Sequence, residues 1–92
     1  MREIEQTTAF KKDLRREGKG QNLTILNAVL PDVLTALEND VQLAAKYQDH
    51  KLTGDWTGCR DCHLKPDLIM IYEVSNNILI LHRLGSHSEL FG

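Results

Sequence analysis

The sequence predicts an α+β fold in which two helices pack on a mostly antiparallel sheet, in the order β-α-α-β-β-β. Three observations carry this expectation. Leucines recur at three- and four-residue steps from Leu23 to Leu37, the period of a helix with one buried face. Two β-rich runs, "LIMIYEV" and "ILILHRL", flank Asn76 and Asn77, and asparagine tolerates the left-handed backbone of a tight turn. At 92 residues the chain is the size of one domain with a modest core, expected to span residues 1–92.

The run "REIEQT" alternates apolar and polar weakly and is expected to form a short first strand. Thr7 or Thr8 then supplies an N-cap. The first helix runs through "AFKKDLRRE", with Phe10 and Leu14 one turn apart on the buried side and Gly18 as its stop. Lys11, Lys12, Arg15 and Arg16 cover its exposed side. In "NLTILNAVLPDVLTALEND" the stripe of Leu23, Leu26, Leu30, Val33, Leu34 and Leu37 predicts a second helix. Pro31 interrupts it, so a kink or a restart is expected there. "VQLAAKYQDHKLTGD" reads as a turn of helix followed by a loop. "GCRDCHL", "LIMIYEV" and "ILILHRL" are the remaining strands, the last two forming a hairpin. "GSHSELFG" closes the chain with a Gly break and a single helical turn.

Eleven Lys and Arg stand against 13 Asp and Glu, for a net charge of −2. Nucleic-acid binding would therefore rest on a local basic patch. No apolar run approaches the roughly 20 residues that cross a bilayer. The N-terminal stretch lacks the apolar core of a secretory signal, so a cytoplasmic location is expected, one in which thiols stay reduced.

The stretch "CRDCH" matches the haem-attachment pattern C-x-x-C-H. Strand geometry argues against that chemistry. Side chains alternate between faces, so Cys59, Asp61 and His63 point one way while Arg60 and Cys62 point the other. Two thiols on opposite faces cannot meet one porphyrin edge. The same alternation separates them as zinc ligands, and no second C-x-x-C exists. Neither haem, metal nor any other cofactor is expected, and both cysteines read as small apolar strand residues.

All four histidines, His50, His63, His82 and His87, lie in the C-terminal half, with Asp67 and Arg83. His82 shares strand parity with Ile78 and Ile80 and reads as structural. The others are candidates for acid–base work near neutral pH. Two or more histidines with a carboxylate and a cation can cleave RNA: one group takes the ribose 2′-OH proton, another protonates the leaving 5′-oxygen, and the cation offsets charge on the phosphorane. Each candidate also has an ordinary reading as a loop, turn or strand residue.

The order of these residues is more specific than their types. "DHKLTGDWTGCRDCHLKPDLIMIYEV" followed by "HRLGSHSELFG" resembles the YafQ toxins of the RelE/ParE superfamily, over essentially residues 49–92. The resemblance implies a RelE-like β-α-α-β-β-β fold. It also implies the toxin of a type II toxin–antitoxin pair, a metal-independent endoribonuclease that cleaves mRNA in the ribosomal A site. Its implied partners are the ribosome and mRNA, a cognate DinJ-like antitoxin, and operator DNA only through the antitoxin complex. By the same resemblance His50, His63, Asp67 and His87 occupy active-site positions, Phe91 is an aromatic beside the site, and Arg83 sits where a phosphate-binding arginine is common. Lys51 is a further basic candidate for RNA contact. The roles expected are His50 or Asp67 as base, His87 as acid and His63 orienting the phosphate. Two departures are Leu68, where relatives often carry an aromatic, and the slightly acidic charge. The rival readings are a ParE-like gyrase-binding toxin, which needs no aligned acid–base set, and an inactive co-repressor, which would be expected to lose one of the four.

Overall fold

The structure is a computed structural model that describes all residues from Met1 to Gly92. Strand β1 (Glu3–Gln6) leads into helix α1 (Thr8–Gly18) and helix α2 (Leu23–Glu38). A two-residue strand β2 (His50–Lys51) precedes β3 (Arg60–Lys65), β4 (Leu68–Ser75) and β5 (Ile78–Gly85), and a short helix α3 (His87–Phe91) ends the chain. The five strands lie in the order β1-β5-β4-β3-β2. All neighbours are antiparallel except β1, which runs parallel to β5. The α+β class and the predicted element order are therefore present, the expected C-terminal helical turn is the five-residue α3, and β2 is added where the sequence suggests a loop.

Local chemistry explains the boundaries. Thr7 caps α1, its hydroxyl accepting from the Phe10 N–H at 3.0 Å and donating to the His82 carbonyl at 2.8 Å. One side chain thus starts a helix and ties it to β5. Asn76 and Asn77 both adopt positive φ (51° and 63°) in the two-residue hairpin turn, the backbone that matches strand twist. Helix α2 runs through Pro31 as one continuous element, so of the kink and the restart expected there the restart does not occur. Pro31 and Asn27, whose carbonyl loses its helical partner, are both exposed. On an exposed turn solvent can satisfy such a carbonyl, so the interruption costs less there than in a buried turn.

The sheet has two different faces. The helix side buries Phe10, Leu26, Val33, Cys62, Leu68, Met70, Tyr72, Leu79, Leu81 and Leu84 in one core. The opposite side has a smaller cluster of Cys59, Ile69, Ile71 and Leu90, flanked by Leu52, Trp56 and Phe91. The two cysteines fall on opposite faces and are free thiols, as the alternation in β3 requires. Leu68 is fully buried on the helix side, which removes it as a surface for stacking bases.

Asp13, in the middle of α1, is only 3% exposed. Its carboxylate accepts from Arg83 (2.7 and 3.3 Å), from Arg16 (3.0 Å) and from the Leu84 backbone N–H (3.0 Å). Burial alone would raise its pKa, but the Arg83 and Leu84 hydrogen bonds and the two guanidinium charges outweigh that and lower it. Its contribution to stability is therefore complete above the ordinary carboxylate range and lost as pH falls through the depressed value. Asp13→Ala is expected to cost about 2–3 kcal/mol, since it strands two guanidinium groups and a buried N–H. Urea unfolding at neutral and acid pH checks this: the deficit should be largest at neutral pH.

Candidate active site

On the face of the sheet away from the helices, β2, β3 and α3 bound an open cleft of about 520 Å³. His50, Asp61, His63, His87 and Phe91 line it, with Gln48, Leu52, Thr53 and Trp56. The register explains the gathering. His50 pairs with Asp61 across β2 and β3, and His63 follows two residues later on the same face. The His50 and His63 rings lie 6.4 Å apart.

His50 owes its place to the residue before it. Asp49 accepts from the Tyr72 hydroxyl at 2.6 Å and from Arg60 at 3.1 Å. Burial and that hydrogen bond push the Tyr72 pKa up, so the hydroxyl remains a donor. The His50 Nδ1 lies 2.8 Å from the Gln48 carbonyl, and the His63 Nδ1 lies 3.2 Å from the Pro66 carbonyl. A carbonyl only accepts, so each Nδ1 is the donor, which leaves Nε2 as the nitrogen that can take up or give a proton.

His87 is the first residue of α3. Ser86 caps this helix in a capping box with Glu89, and the Asp67 carboxylate accepts the His87 backbone N–H at 2.9 Å. A Cβ on Gly85, just before this cap, would lie 3.0 Å from the Arg16 guanidinium and 3.1 Å from the Glu89 carboxylate, so a larger residue would have to displace the tips of those two side chains. The exposed His87 ring rests 5.1 Å from Phe91.

Asp61 was not among the residues expected to act, yet it lies beneath the histidines. It is 3% exposed. Its Oδ1 sits 3.1 Å from His50 Nδ1 but has no hydrogen bond, because that N–H points to Gln48. Burial raises the Asp61 pKa, and the charge of Asp49 adds to this, against the opposing influence of His50, His63 and His87. The available signal was parity: Asp61 lies between Cys59 and His63 on one strand face.

The expected site residues thus divide. His50, His63, His87 and Phe91 share the cleft. Asp67 touches it through the His87 backbone. Arg83 is engaged by Asp13 and does not line the cleft. Lys51 lines a separate groove with Arg60 and Val74. His82 pairs with Glu73 at 2.8 Å.

The family profile described as "Bacterial toxin of type II toxin-antitoxin system, YafQ" matches residues 2–92. The chain belongs to the YafQ toxin family. It is 35% identical over 91 residues to the mRNA interferase toxin YafQ of Escherichia coli K12, covering 99% of this chain and 97% of that protein. A metal-bound toxin from Helicobacter pylori superposes with a TM-score of 0.86 at 45% identity, covering 99% of this chain and 100% of that one. YafQ in the E. coli DinJ–YafQ complex superposes with a TM-score of 0.84 at 36% identity over the whole of both chains. No helix is long and apolar enough to cross a membrane.

Proposed function

We propose that this YafQ-family toxin is an endoribonuclease that cleaves mRNA in the ribosomal A site by acid–base catalysis, and that a DinJ-like antitoxin silences it. The observation that supports this reading best is the convergence of three imidazoles and a buried carboxylate in one open cleft beside Phe91. A gyrase binder would not need that set.

In this mechanism His50 Nε2 takes the proton of the ribose 2′-OH. The 2′-oxygen then attacks the adjacent phosphorus, and the bond to the 5′-oxygen breaks. His87 donates a proton to that leaving oxygen, so the products are a 2′,3′-cyclic phosphate and a 5′-hydroxyl. His63 orients the phosphate, and Asp61 supplies the counter-charge as imidazolium forms. Phe91 offers a face on which a base stacks. Asp67 and Arg83 act at one remove: Asp67 holds the His87 backbone, and Arg83, clamped to Asp13, fixes the strand that delivers it. His50 and His87 must begin the cycle in opposite protonation states.

Cleavage should therefore follow a bell-shaped pH profile and persist in excess EDTA. Loss of activity on chelation, restored by a divalent ion, would overturn the mechanism. The net charge of −2 supports the requirement for the ribosome, since affinity for naked RNA rests largely on neutralising phosphates. Exposed Lys11, Lys12, Arg15 and Lys51 are the docking charges; Arg16 is tied to Asp13, Glu17 and Glu89. One mRNA incubated with and without ribosomes tests this, and equal rates would remove ribosome dependence. Co-expression with the protein encoded by the adjacent gene should give a tight, inactive complex.

A further inference from the structure

Outside the catalytic cleft, one cluster of ligating side chains remains unexplained. Cys59, Glu73 and His82 come from the approach to β3, from β4 and from β5, on the face opposite the helices. One ligand atom from each lies within 4.8 Å of the others. The register places them there. Arg60 pairs with Tyr72, so Cys59 falls opposite Glu73. Ile71 pairs with Arg83 while Tyr72 pairs with Leu81, so His82 is the extra residue of a bulge and swings toward Glu73. Cys59 is 8% exposed, and Glu73 and His82 are partly buried.

We propose that Cys59, Glu73 and His82 form a three-ligand site for a divalent metal ion of the zinc class. A thiolate, an imidazole and a carboxylate are the donors such ions take, and three protein ligands leave a fourth position for water. The ion replaces the proton now shared in the His82–Glu73 contact at 2.8 Å and the proton of the Cys59 thiol. Binding therefore releases protons and strengthens as pH rises. Cys62 takes no part, since it is buried on the other face. None of the cleft residues belongs to the trio.

The site adjoins the cleft through one residue. Trp56, the single tryptophan, packs edge-on against His82 at 6.0 Å and also lines the catalytic cleft. An ion on His82 would stiffen that wall and quench or shift the indole emission.

The test uses the full chain under a phosphine reductant, titrated with cobalt(II) alone and then with zinc(II) as competitor. One equivalent of cobalt should produce a thiolate-to-metal charge-transfer band together with a change in Trp56 emission. Cys59→Ser should abolish the band, Glu73→Gln and His82→Gln should weaken binding at least about tenfold, and Cys62→Ser should leave it intact. The double variant His63→Gln, His87→Gln should retain the band, which separates this site from binding by the cleft histidines. Absence of the band in the wild type, its survival in Cys59→Ser, or its loss in the cleft double variant would each overturn the proposal. If circular dichroism shows Cys59→Ser to be unfolded, His82→Gln decides: unchanged cobalt affinity there overturns it equally.

Discussion

His87→Ala is expected to slow mRNA cleavage by on the order of 10²–10⁴-fold, the usual worth of a positioned general acid, while leaving thermal stability almost unchanged. Geometry separates the two effects. The His87 ring is exposed and packs on Phe91, whereas the contact that fixes α3 is its backbone N–H on Asp67. That contact survives the substitution. The variant should therefore bind ribosomes and antitoxin like the wild type and lose kcat rather than raise KM. The pH profile gives a second readout. A general acid must be protonated to act, so its loss should flatten the alkaline limb. His50→Ala should flatten the acid limb instead. A loss under tenfold in His87→Ala, or an alkaline limb that persists, would transfer the acid role to another group.

Much of this was legible in the sequence. The leucine stripe of α2, the Asn76-Asn77 hairpin and the alternation that parts Cys59 from Cys62 are local rules, and the structure obeys each of them. The restart offered at Pro31 does not occur, because both Pro31 and Asn27, whose carbonyl it frees, are exposed and the helix can continue at lower cost than in a buried turn. Strand β2 was hidden because two residues carry no periodicity; its pairing with β3 is a tertiary fact. Asp61 and Asp13 were missed for a related reason. A carboxylate in a strand or helix pattern reads as a solvated side chain. Burial of each depends on partners far along the chain: His50 for Asp61, and Arg83 and Leu84 for Asp13. Arg83 shows the converse. A cation beside a motif invites a phosphate reading, while the partner that engages it lies 70 residues earlier.

Asp61→Asn is expected to act on activity and stability in opposite directions. Burial raises the Asp61 pKa above its ordinary value. The folded state therefore binds that proton more tightly than the unfolded chain does. Stability linked to this group is complete in acid and falls as pH rises from the ordinary carboxylate value through the raised one. At neutral pH the ionised Asp61 is a net cost, with an oxygen that no hydrogen bond satisfies. The amide has nearly the same shape and no charge, so the melting temperature at neutral pH should rise, and the gain should shrink in acid. Cleavage should fall by on the order of 10²–10³-fold, the usual loss when one preorganised electrostatic group is removed from an active site. The reason is the same charge: a carboxylate under His50, His63 and His87 is costly to fold, and in the proposed mechanism it is what would stabilise an imidazolium when a proton leaves the 2′-OH. Such opposition marks a residue retained for function rather than stability. Thermal melts at acid and neutral pH, paired with single-turnover cleavage, would decide it. A variant that is less stable at neutral pH, or one that cleaves at the wild-type rate, would show that Asp61 is an ordinary structural carboxylate.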